Sequence, residues 1–345
     1  MRFLRRLFFV FFFLGLAAAG LAGWWGWREL QRPWGTADDE VVFEVTPGES
    51  AGGILRRLET QGLVVDARLA KAYLVYRLGD PPLRAGEYRL EGSMDTLDVL
   101  DELIRGEVVT YALTLIEGLT LDEAAAEIAR QGFGDEELLL REMRDPGRIS
   151  DLDPAASTLE GYLFPETYHF ARGVTEAEIV SKLAATFREH YRGEVEARVP
   201  PGMGVRDLVT LASIVEKEAQ IDSERPRIAG VYSNRLERGI ALYADPTVIY
   251  ALKLAGTWDG NLRRPDLRFD SPYNTYVYAG LPPGPICSPG LASLQAAAEP
   301  EEHSFIYFVS RNDGTHVFAE TLREHNRNVD EWQRRYWRRR WAEEN

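Results

Sequence analysis

The stretch Leu7–Trp27 (LFFVFFFLGLAAAGLAGWWGW) constrains this chain more than any other, because it runs for 21 residues without a charge. At about 1.5 Å of rise per residue, a helix of that length covers a bilayer core of roughly 30 Å. Arg2, Arg5 and Arg6 precede it, and Trp24, Trp25 and Trp27 close it. Basic residues ahead of a span favour the cytoplasmic side, and tryptophans favour the lipid–water boundary. Arg28 and Arg32 come after it, so the bias rests on the three leading arginines and the N-terminus. A cleaved signal peptide is the alternative, with Ala17, Ala18 and Ala19 as its small residues. The apolar run continues past them through the tryptophans, which favours an uncleaved anchor. The expected division is residues 1–6 cytoplasmic, 7–27 spanning the membrane, 28–40 a linker, and everything from Gln31 onward beyond the cytoplasmic membrane.

Past the anchor, a chain of 345 residues has length enough for more than one packed domain. With 45% hydrophobic and 27% charged residues, it has the composition of a folded protein. A net charge of −14 argues against nucleic acid as a partner, since a phosphate backbone calls for a basic surface. One cysteine, Cys287, excludes an intramolecular disulfide, and its setting GPICSPG reads as a small packed residue. The five histidines lack metal-ligand spacing, so neither a metal nor another cofactor is expected.

Residues 41–157 repeat one phrase. Val41–Val45 is a strand candidate, a turn comes next, Ser50 caps a helix carrying Ile54, Leu55 and Leu58, and Gln61-Gly62 stops it. The phrase returns 70 residues later as Leu113–Ile116, Gly118, Thr120, Ile128 and Gln131-Gly132. A partial copy lies between, with Tyr88–Leu90 as strand, Gly92 as turn, Thr96 as cap, and Leu97, Leu100 and Leu103 on a helix ending at Gly106. Unequal spacing points to small α+β modules and not to a solenoid. They serve either to bind carbohydrate or a partner, or as a spacer.

From residue 158 to 345 the pattern is again α+β, with helices alternating with aromatic, Pro/Gly-punctuated loops. Pro165 prevents Leu159–Phe170 from being one helix. Val174–Tyr191 is an amphipathic helix with Thr175 as cap and Glu178 in the capping-box position. Helices are also expected at Arg225–Arg238, from Pro246, and over LASLQAAA, with a strand pair about Asn312-Asp313-Gly314. The tail RRYWRRRW is basic and aromatic and reads as a solvated terminal helix. In Leu208–Gln220 (LVTLASIVEKEAQ), apolar residues at Leu208, Leu211, Ala212, Val215 and Ala219 give one buried helical face. On a wheel of about 100° per residue, Glu216 and Glu218 flank that face and Lys217 points to solvent. Both acids therefore occupy positions where a carboxylate can be half-buried.

No nucleophile elbow, phosphate-binding glycine loop or zinc motif stands in the sequence. One glutamate helix leading into loops rich in Asn, Tyr, Thr, Gly and Pro suits a sugar polymer instead. Cleaving a glycosidic bond needs a carboxyl group kept protonated near neutral pH, and partial burial raises a carboxyl pKa in that direction. Most glycosidases use a second carboxylate, but a sugar hydroxyl that attacks its own anomeric carbon needs only one Glu.

The segments LEGYLFPETY, LASIVEKEA, VYSNRL, DPTVIYAL, SPYNTYVYAGLPPGPICSPG and FVSRNDGTHVFAETLREHN together closely resemble the YceG-like endolytic murein transglycosylases. The resemblance implies an inner-membrane anchor, a LysM-like module region and a catalytic domain facing the periplasm. It further implies cleavage of the β-1,4 bond between N-acetylmuramic acid and N-acetylglucosamine in nascent peptidoglycan strands. The products carry 1,6-anhydro ends, which terminate strand growth near the peptidoglycan synthases as partners. The family's catalytic glutamate matches Glu218, with Glu216 second, because the wheel does not separate them. Candidate substrate contacts are Glu166, Asn234, Asp245, Tyr273, Asn274, Thr275 and Tyr276. A helix-capping role is the alternative for Asp245, and a packed aromatic turn for the tyrosine loop. Two rival functions stay open: a hydrolytic muramidase using Glu218 with a second acid such as Glu166, and a non-catalytic wall-binding scaffold for synthases.

Overall fold

The computed structural model describes residues 2–338 and 340, so Met1 and, in the basic tail, Arg339 and Trp341 lie outside the described residues. The fold is mixed α+β, with three two-stranded sheets among those residues. Two compact units emerge: residues 1–112 with 169–173, and residues 113–168 with 174–345. Residues 113–157, grouped above with the repeated phrases, thus cluster with the second unit.

The first unit begins with helix α1 (Arg2–Leu30). It runs on into the expected linker, and its apolar stretch is solvent-exposed, Phe8 and Phe13 by more than 60%. Strand β1 (Glu40–Val45) pairs antiparallel with β2 (Gly86–Glu91), Phe43 facing Tyr88. Alternation puts Phe43, Val45, Tyr88 and Leu90 on one side. That side is covered by helices α2 (Ala51–Thr60), α3 (Ala67–Leu78) and α4 (Thr96–Arg105), which contribute Leu55, Leu58, Leu74, Leu100 and Leu103. Ser50 caps α2 as expected. Thr96 is not the cap of α4: Asp95 takes that place, because it and Asp98 form a reciprocal capping box. Gly106 ends α4 in the left-handed region at φ 73°, a conformation a side chain disfavours.

Strand β3 (Thr110–Thr114) begins earlier than the expected Leu113–Ile116 and pairs with β4 (Thr167–Ala171), which lies just past Pro165. In the second unit, capping boxes at Thr120 and Thr175 start α5 (Leu121–Arg130) and α7 (Glu176–His190). Helix α6 (Glu136–Met143) lies between them. The centre of this unit is α8 (Val205–Glu218). Packed against it are α9 (Arg225–Glu237), α10 (Asp245–Leu254) and α11 (Leu291–Ala298). One buried face is therefore too narrow a description of α8, since every residue from Leu208 to Val215 is buried. Its polar Ser213 is used internally: the hydroxyl donates to Thr210 O (2.7 Å) and accepts from Ile286 N (3.0 Å). Cys287, fully buried, donates to Ser213 O. Strands β5 (Tyr307–Ser310) and β6 (His316–Ala319) form the hairpin expected about Asn312–Gly314, with Ser310 opposite His316. Helix α12 (Leu322–Val329) comes next, capped by Thr321.

Candidate active site

Two residues apart on a helix is about 200°, and the last turn of α8 therefore sends its two glutamates in different directions. Glu216 goes inward. Its Oε1 meets Arg225 Nη1 at 3.0 Å, and its Oε2 accepts from Gly290 N at 3.0 Å. Both side chains are less than 10% exposed. Arg225 also donates to Ser293 Oγ (2.6 Å) and Asp222 Oδ1 (3.0 Å). The carboxylate of Glu216 thus ties the end of α8 to the starts of α9 and α11, and its charge complements the positive end of α11. A Cβ at Gly290 would fall 1.8 Å from Glu117 Oε1, so a larger residue there would displace the half-exposed Glu117 side chain.

Glu218 goes the other way, into a cleft of about 500 Å³. Its Oε1 accepts from the hydroxyl of Tyr232, a buried residue of α9, at 3.1 Å. Burial pushes the Glu218 pKa up to about 7. The Tyr232 bond opposes that rise, the charge of Asp245 adds to it, and Arg235 opposes it. A carboxyl in this state is half protonated near neutral pH, so it can give a proton and then take one back.

The other walls come from α9, the start of α10, the β5–β6 hairpin and α12. Arg235 lies one turn after Tyr232 and is held by Ile306 O (2.7 Å) and by Leu242 O. It therefore brings a fixed positive charge to the cleft. Asp245 accepts from Tyr276 OH at 2.6 Å. It does not cap α10, whose capping position is Ala244. His316 donates its backbone N–H to Glu224 Oε1 (3.0 Å), and its Nδ1 lies 2.7 Å from Glu224 Oε2. His325 stacks on Tyr307 at 5.0 Å, and burial and then Arg235 lower its pKa.

Of the residues singled out from sequence, Glu218, Asp245 and Tyr276 share this cleft. Others go elsewhere. Asn234 donates to the carbonyls of His303 and Phe305 at 2.8 and 2.9 Å, fastening the approach to β5. Asn274 is buried and donates to Phe269 O (2.7 Å), and Thr275 bonds Ala244 N (3.0 Å) and Thr247 (2.9 Å). Both shape the loop from within. Tyr273 packs on Tyr250 at 4.9 Å. Glu166 is solvent-exposed, and its backbone carbonyl accepts from Leu115 N. Sequence pattern does not single out Tyr232, Arg235, Tyr243, His316 and His325, which also line the cleft. The spacing of Tyr232 and Arg235 in VYSNRL, three apart on one helix face, was the available signal.

A family model described as the YceG-like family matches residues 43–331. An endolytic murein transglycosylase of Bacillus subtilis (strain 168) is 32% identical over 306 residues, covering 83% of each chain. An endolytic murein transglycosylase of Streptococcus pneumoniae serotype 2 (strain D39 / NCTC 7466) is 30% identical, over 94% of this chain and 65% of that longer relative. The crystal structure of a yceG-like protein from Listeria monocytogenes matches at 33% identity with a TM-score of 0.55, covering 84% of this chain and 99% of that one. By a pattern matched from the first module to beyond the β5–β6 hairpin, and by relatives aligned over most of its length, the chain belongs to the YceG-like family.

Proposed function

We propose that this chain is a membrane-anchored endolytic transglycosylase of peptidoglycan, with Glu218 as its acid and base. The observation that carries the reading is a half-buried glutamate, raised to a pKa of about 7 by burial and opening into a tyrosine-rich cleft. The names of the aligned relatives support the same substrate class. Glu218 gives its proton to the glycosidic oxygen as the bond from the muramoyl C1 breaks. The muramoyl C6 hydroxyl closes on C1 and returns its proton to Glu218. The strand is cut, a 1,6-anhydro end forms and no water is consumed.

The bond cut is the β-1,4 link from N-acetylmuramic acid to N-acetylglucosamine in nascent strands, and the cut ends elongation beside the synthases. Residues 7–27 hold the chain in the cytoplasmic membrane and 28–40 link; the LysM-like region starts at residue 41, and the second unit, residues 113–168 with 174–345, is the catalytic domain, on the periplasmic side. Asp245 and Tyr276 contact the glycan. The hydrolytic reading has one supporting observation, a second carboxylate, Asp245, in the same cleft. Mass spectrometry of digested glycan strands separates the two, since an anhydro end is one water lighter than a reducing end. The expected outcome is anhydro ends with wild type, none with Glu218→Gln, and cleavage retained in Glu216→Gln. Full activity in Glu218→Gln would sink the assignment.

A further inference from the structure

Tyr243 combines features that its neighbours do not explain. Its backbone sits at φ 48°, in the left-handed region. Among the described residues, Asp80 and Asn312 also have positive φ, but those side chains tolerate it, whereas a bulky ring does not. The strain is imposed from both sides. Leu242 is fully buried and its carbonyl is held by Arg235; Ala244 is fully buried and its N–H is held by Thr275 Oγ1. A glycine would meet that geometry without steric cost. The tyrosine does not recover the cost by burial either, since it is 50% exposed. Its ring lines the cleft that holds Glu218. It meets Tyr276 edge-on, with centroids 5.3 Å apart at 65°, and half of its surface stays open to solvent. Tyr276 is itself fixed by Asp245, so the platform is oriented before any ligand arrives. Strain kept at an exposed position in a cleft points to a ligand.

We propose that Tyr243 is the platform of a sugar subsite beside Glu218, taking the C–H face of one pyranose ring of the strand. This rests on the reading of the cleft as a glycan site. A tyrosine suits the task, because a large rigid face is offered at the loss of few rotamers. The subsite belongs to binding and not to chemistry, so its loss raises KM and leaves kcat nearly in place.

The test uses the full chain in detergent and a peptide-free glycan octasaccharide of alternating N-acetylglucosamine and N-acetylmuramic acid. Calorimetric titration is run with Tyr243 and with Tyr243→Ala, Tyr243→Gly and Tyr243→Phe, all carrying Glu218→Gln to prevent turnover. The Ala and Gly variants are expected to bind at least tenfold more weakly, and Phe to restore the affinity that Ala loses. Tyr243→Gly is expected to hold or raise Tm while losing affinity, a split that a merely structural tyrosine would not give. In the Glu218 background, KM rises at least tenfold and kcat changes less than threefold. Binding by the Ala and Gly variants within twofold of the parent would overturn the subsite. That result is distinct from failure of the catalytic reading, which shows instead as cleavage by Glu218→Gln.

Discussion

At the scale of single residues, the two glutamates of EKE differ by their partners. Periodicity predicted that both flank the buried face, and that was as far as a wheel reaches. Arg225 and Gly290, which claim Glu216, come from other helices, and no local pattern announces them. Glu216→Ala leaves Arg225 buried with less opposing charge, a loss on the order of 3 kcal/mol. It should appear as an earlier midpoint in urea melts. Glu218→Gln should not lower the midpoint above pH 7, because a carboxyl that resists ionisation is then removed. The acid role also sets a pH dependence. Cleavage needs protonated Glu218, so kcat should fall as pH rises through about 7. Its neighbours shift that limb in opposite directions. Asp245→Asn removes a charge that raises the pKa, moving the limb to lower pH. Tyr232→Phe removes a bond that lowers it, moving the limb to higher pH. Rate profiles of the two variants moving the same way would contradict this electrostatic account.

At the scale of elements, caps were the most legible part of the chain. Ser50, Thr120 and Thr175 start helices where the sequence places them, because an N-cap needs only neighbours within three residues. Strand limits were less legible. β3 is defined by β4, which lies more than fifty residues away in sequence, and its edge moved accordingly. The most consequential unread feature is Glu160, hidden in LEGYLF. Its two oxygens accept from Leu121 N at 3.1 Å, and one also accepts from Tyr250 OH at 3.1 Å. It thus bridges the start of α5 to α10. Burial pushes its pKa from 4.5 up to about 7, against those two bonds. The folded chain therefore binds more protons here than the unfolded chain between those values. Stability from this group is full below about 4.5 and is lost as pH rises through about 7. Glu160→Gln keeps an acceptor for Leu121 without the charge. Its Tm, measured from pH 5 to pH 8, should fall less steeply than that of the parent.

At the scale of the whole molecule, the long apolar helix is legible in the sequence, but its junction with the first unit is not. Within Arg5–Leu30 the helix is long and apolar enough to cross a membrane, and its apolar side chains from Leu7 to Leu21 are exposed. The last turns behave differently. Trp27 meets Tyr73 of α3 at 6.0 Å between ring centroids, and Leu30 is 5% exposed. One helix thus has two parts: an exposed apolar band, and a last turn that packs against α3 of the first unit. Two truncations separate these roles. A chain starting at Trp24 keeps both contacts, so it should leave the membrane fraction and melt like the full chain. A chain starting at Gln31 loses them, at a cost of about 2–3 kcal/mol by analogy with deletion of a buried leucine. For a unit of this size that lowers Tm by several degrees. Calorimetry of the two truncated chains is the check, and coincident melts would mean that the last turns of α1 contribute nothing to the stability of the first unit.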